Sequence, residues 1–137
     1  MAVAVSGDGN RVMTSPDGIN WTICSSAANN MWFEVTYGNG VFMAVAALGA
    51  SDRVMSSPDG INWTSRTSAA DYSWSNVTYG NGVFVAVSDS GVMSSPGDIN
   101  WTLDQNAPID EWQDVAYGDC VFVAVGQSGT DTAMSSP

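Results

Sequence analysis

The chain has 137 residues, 45% of them hydrophobic, enough for one ordinary domain with a buried core. Fourteen acids stand against three arginines (Arg11, Arg53, Arg66), with no lysine and no histidine, for a net charge of −11. Phosphate contacts come mainly from Lys and Arg, so this balance argues against nucleic acid and against an anionic membrane surface, and leaves a solubilising charge.

No apolar run approaches the ~18 residues of a membrane span. The opening "MAVAVSGDGNRV" has neither a basic start nor the long apolar stretch of a signal peptide, so a soluble chain of undetermined compartment is expected. Cys24 and Cys120 form no C-x-x-C pair and have no histidine beside them. Neither a disulfide framework nor a metal site follows from them.

In chain order, residues 1–26 read as three short strands, b, c and d, the last being "INWT" after the turn "SPDG". Residues 32–66 read as four strands: a "FEVTYG", b "VFMAVA", c "RVMSS" and d "INWT". Residues 74–104 repeat them as "SNVTYG", "VFVAVS", "GVMSS" and "INWT". Residues 112–137 supply a, b and c as "QDVAYG", "VFVAVG" and "AMSSP". Strand b is apolar on both faces, as a strand covered on both sides should be. The a–b connection is Asn39-Gly40, then Asn81-Gly82, a dipeptide suited to a type I′ hairpin because both residues take φ > 0. In the last unit it becomes Asp119-Cys120, which is either strained or a different turn.

Three markers keep the same step. Trp21, Trp63 and Trp101 are spaced like Trp32, Trp74 and Trp112, and like Tyr37, Tyr79 and Tyr117. Four antiparallel strands per ~40 residues, with no helical periodicity, predict an all-β fold of β-propeller blades. A β-solenoid is the alternative, but its coils are usually shorter and lack these tight hairpins.

The motif S-P-D-G-x-N-W-T resembles a variant of the Asp-box hairpin of sialidase-like and sortilin-like propellers, with the Gly directly after the Asp and the Trp one residue early. The "VTYGNGVFVAV…VMSSPDGINWT" array is also similar to repeats common in bacterial and environmental sequences. The resemblance implies a structural Asp that accepts backbone N–H groups, at Asp17 and Asp59, and a Trp packed between blades, at Trp21 and Trp63. The third copy reads "SSPGDINWT", so Asp98 follows the Gly while Trp101 stays in place.

The first segment lacks strand a and the last lacks strand d, and both carry a copy of the same b–c half. Three periods do not close a propeller, which typically has 4–8 blades. The expectation is therefore an incomplete ring completed by other chains, a homodimer with six to eight blades being the simplest case. The alternative is that residues 1–137 are a window on a longer array.

Catalytic chemistry is sparse. Without His or Lys there is no Ser–His or Ser–Lys pair, and no His-based metal site. A sialidase would need three arginines on its ligand, and Arg11 and Arg53 are repeat equivalents in different blades. Adjacent Asp110 and Glu111 point to opposite sides of an extended segment and make a poor acid–base pair. Acidic loops at 6–10 and 50–53 leave calcium open, without an EF-type loop. No cofactor or metal is expected.

The a–b and c–d turns share one end of the fold, the b–c and d–a loops the other. The latter loops vary and carry Asn29, Asn30, Asp71, Tyr72, Gln105 and Asn106, above Trp32, Trp74 and Trp112. Two readings stand. The tryptophans are core between blades, and the chain is a non-catalytic, self-assembling scaffold or interaction module. Alternatively they stack on sugars beside Asn30, Asp71, Tyr72, Gln105 and Asn106, as in a lectin. An enzyme, or a sequence whose sole function is to fold, are the remaining possibilities.

Overall fold

The computed structural model describes residues 1–7, 11–49, 52–129 and 132–137. Among them, fourteen strands form four antiparallel sheets, each a meander in chain order. The first sheet is β1 (Ala2–Val5), β2 (Val12–Ser15) and β3 (Thr22–Cys24). The second is β4 (Met31–Gly38), β5 (Val41–Leu48), β6 (Val54–Ser57) and β7 (Thr64–Arg66). The third is β8 (Trp74–Gly80), β9 (Val83–Ser88), β10 (Val92–Ser95) and β11 (Thr102–Leu103). The fourth is β12 (Trp112–Gly118), β13 (Val121–Gly126) and β14 (Ala133–Ser136). Among the described residues, no helix is long and apolar enough to cross a membrane.

The first hairpin of each of the last three sheets is fixed by its turn. Asn39 and Gly40 have φ of 49° and 79°, Asn81 and Gly82 of 47° and 81°, as a type I′ turn requires. Asp119 and Cys120 take the same geometry, at 49° and 63°. Cys120 therefore holds a left-handed backbone despite its Cβ, at a cost of about 1–2 kcal/mol. The turn type is kept and the strain accepted, because Gly118 still pairs with Val121.

The spacing Trp-x-x-Val conflicts with a strand, in which residues three apart face opposite sides. A bulge resolves the conflict. Trp74 pairs with Ser88 and Asn76 with Val87, leaving Ser75 as the extra residue; Phe33 and Gln113 play that part in the second and fourth sheets. Each strand consequently begins at or before its tryptophan, earlier than the sequence pattern suggests. Trp74 and Val77, like Trp112 and Val115, both turn into the core.

The core lies between successive sheets rather than within any one. Val12 of the first sheet meets Trp32, Ala44, Ala46 and Met55 of the second. Met43, Val45 and Val54 of the second meet Trp74, Val77, Phe84, Ala86 and Met93 of the third. Val87 and Val92 of the third meet Trp112, Val115 and Ala124 of the fourth. Strands β4, β8 and β12 run side by side at these junctions, with β1 against β4. Among the described residues no comparable cluster joins the fourth sheet to the first, so the sheets stand in a row and do not close a ring.

Truncating a junction tryptophan removes its packing with the preceding sheet. Trp74→Ala is expected to cost about 3–5 kcal/mol in urea unfolding, whereas Trp21→Ala, at a residue 40% exposed, should cost far less in dilute protein.

Candidate functional site

The surface with the most built-in chemistry is the junction between sheets and the turns that border it. In the first c–d turn Asp17 Oδ1 accepts the backbone N–H of Ile19 and of Asn20, each at 2.8 Å, and the Ser15 hydroxyl at 2.9 Å. Asn20 Nδ2 donates to Asp17 Oδ2, and Ser15 Oγ accepts from Gly18. Asp59 repeats this set with Ile61, Asn62 and Ser57. All these donors favour the ionised carboxylate, led by the backbone N–H of Asn20 and Asn62 respectively, so both carboxyls are held well below the usual range.

The third copy works differently: Asp98, grouped with the turn motif but put in doubt there by the exchange of Gly and Asp, takes another role. With Gly97 and Asp98 exchanged, the turn is closed by Ser95, whose hydroxyl donates to Asn100 O at 2.6 Å. The Asp98 carboxylate reaches across the junction instead. It accepts from Arg66 Nη2 at 2.6 Å and from Ser56 Oγ at 3.0 Å, both in the second sheet. Arg66 Nε also donates to Ser56 Oγ. The exchange leaves a mark on the neighbouring tryptophan. Trp63 Nε1 donates to Gly60 O at 3.0 Å, while Trp101 Nε1 is buried with no acceptor among the described residues.

At the a–b end of the junction a ring lies on bare backbone. A Cβ placed on Gly38 would stand 2.0 Å from Tyr79 Cγ, and one on Gly80 the same distance from Tyr117 Cγ. Only glycine tolerates that approach. Each tyrosine also packs at a tilt against the phenylalanine across its own hairpin, with centroids 4.7 Å apart for Tyr79–Phe84 and Tyr117–Phe122. Burial, then the neighbouring Cys120, pushes the Tyr117 hydroxyl above its ordinary range. The series is unfinished at both ends. Tyr37 is 58% exposed, and a Cβ on Gly118 would meet nothing within 4 Å among the described residues.

The junctions also differ at their outer edge. Between the second and third sheets, Trp101 and Leu103 pack against the core cluster. Between the third and fourth, a cavity of about 400 Å³ opens instead, walled by Val83, Val85, Val87 and Val92 on one side and Phe122, Ala124 and Met134 on the other. Beyond it, Val123 and Val125 on the far face of the fourth sheet are 44% and 46% exposed.

The residues expected to bind a sugar are mostly engaged in the fold. Trp32, Trp74 and Trp112 are at most 1% exposed and cannot stack on a ligand. Their Nε1 groups donate to Ala28, Ala70 and Pro108 carbonyls, four residues upstream in each case. Asn30 is buried and donates to Asp52 O. Tyr72 packs its ring 5.7 Å from Trp74 and against Gly91. Its carbonyl accepts Arg53 Nη1 at 2.8 Å, and Asp71 Oδ1 lies 3.0 Å from Arg53 Nε, whose N–H is not aimed at it. Gln105 and Asn106 are exposed. The aromatic platform of a lectin is therefore replaced by core. The repeat-equivalent arginines do not converge, since Arg11 is exposed while Arg53 is folded into this loop. Of the two acidic loops considered for calcium, residues 8–10, 50 and 51 lie outside the described residues; among those described, no three His, Cys, Asp or Glu side chains cluster as a metal site.

No known protein family matches the chain, and no curated protein matches it. The Asp-box likeness thus rests on the turns themselves, at Asp17 and Asp59.

Because the folded carboxyls of Asp17 and Asp59 sit below the unfolded value of about 3.9, their contribution is complete above that pH and is lost as pH falls below it. The double variant Asp17→Asn, Asp59→Asn should flatten the acid limb of a thermal-stability profile between about pH 4 and pH 2; an unchanged limb would contradict the turn role. Removing the cross-sheet pair by Asp98→Ala should cost about 1–3 kcal/mol in urea unfolding.

Proposed function

We propose that the chain is a non-catalytic, self-assembling β-propeller module whose four sheets are blades and whose role is structural, as a scaffold or interaction element. The observation that carries this reading is the unfinished junction. Packing that is closed by Trp101 and Leu103 between the second and third sheets gives way to the cavity between the third and fourth. The exposed Val123 and Val125 on the opposite face of the fourth sheet add a second uncovered apolar surface, of the kind that supports an interaction role. The composition points the same way, since a chain without His or Lys offers neither a Ser–His nor a Ser–Lys pair.

The partner is a further copy, and two chains give a ring of six to eight blades, within the usual range of propellers. Sedimentation velocity over a concentration series tests this. A species of two chains that dissociates on dilution is expected; a folded monomer at every concentration would refute it.

A further inference from the structure

Resting on that self-assembly reading, we propose how the copies join: β3 of one copy adds along β14 of the next, seating Trp21 and Ile23 in the cavity between the third and fourth sheets, while Tyr37 of the same copy covers Gly118. The contact is head-to-tail and continues, one repeat further on, the junction already formed between the second and third sheets.

The chain supplies its own template. In the third sheet β11 pairs with β10 through Met93–Leu103 and Ser94–Thr102. β14 offers the equivalent Met134 and Ser135, and β3 offers Ile23 and Thr22. In its own sheet β3 already uses this register, pairing Met13 with Ile23 and Thr14 with Thr22. Yet Ile23 is 78% exposed there and Trp21 is 40% exposed, whereas their equivalents Leu103 and Trp101 pack against a core cluster.

One placement satisfies both ends. Tyr79, in the third sheet, covers Gly38 of the sheet before it, and Tyr117 covers Gly80 in the same way. Tyr37 belongs to the sheet that follows β3. When β3 joins the fourth sheet of another copy, that following sheet carries Tyr37 to Gly118, the unoccupied seat in the series.

The shared blade has room for one b–c hairpin. β13 holds Phe122 against Tyr117, whereas β1 has Ala2 at the matching position. β13–β14 is therefore retained and β1–β2 yields its place. Val123 and Val125 then stand where Val3 and Val5 packed against the second sheet.

Two full-length variants test the contact. Ile23→Asp spoils the donated strand at an exposed position. Gly118→Val spoils the seat, where a side chain meets nothing in the free chain. Each alone is expected to sediment as a folded monomer under conditions in which the unmodified chain assembles. A 1:1 mixture at the highest concentration of the series should recover a two-chain species, since one intact head and one intact seat remain. Assembly of either variant alone, or a mixture that stays monomeric, would overturn the head-to-tail contact while leaving self-assembly standing. A monomeric unmodified chain would instead strike the reading on which it rests.

Discussion

The constraint on which the structure depends is that its central strands have no solvent face. Along β5, Ala44 and Ala46 enter the core toward the first sheet while Met43 and Val45 enter the core toward the third. β9 does the same, with Phe84 and Ala86 on one side and Val87 on the other. A sheet built on such a strand is stable only when covered twice, because each exposed apolar face forfeits roughly 25 cal/mol per Å². Each sheet therefore needs a successor, and a row of them ends in an unmet requirement unless something covers the last face.

Two devices keep successive sheets in one register. The tyrosine that lies on a bare glycine sets the approach at one end, and the buried tryptophan, anchored by its Nε1 to a loop carbonyl, sets it at the other. The ion pair of Arg66 with Asp98 is a local addition to this scheme. Its partners vary together along the chain: the positions equivalent to Arg66 are Cys24 and Asp104, and the other two turns keep their acid at home in Asp17 and Asp59. Exchanging two adjacent residues converts a carboxylate that holds its own turn into one that ties two sheets together.

Much of this was legible in the residues. Asn-Gly required a type I′ turn because few other pairs accept two positive φ values, and the doubly apolar b strands required cover on both faces. The destination of Asp98 was not legible, since nothing local indicates that a carboxylate leaving its turn finds an arginine thirty-two residues earlier. The bulges were hidden for a related reason: Trp-x-x-Val reads as a period error until the register is seen to shift by one residue between Trp74 and Asn76. The d–a loops looked variable because their constant task, accepting the tryptophan N–H, falls to backbone carbonyls that any side chain can carry. The tryptophans then went to core, so the exposed aromatic surface a sugar site requires is absent at those positions.

The proposed sharing of one blade between copies makes the blade number a direct reading of the account. Averaged projection images of the assembled particle, viewed down its axis and paired with its native mass, count blades and chains together. Six blades from two chains are predicted, three from each. Eight blades from two chains would mean that every sheet stands as its own blade, and an open arc of one chain would mean that the last face is left uncovered; either result would contradict the account.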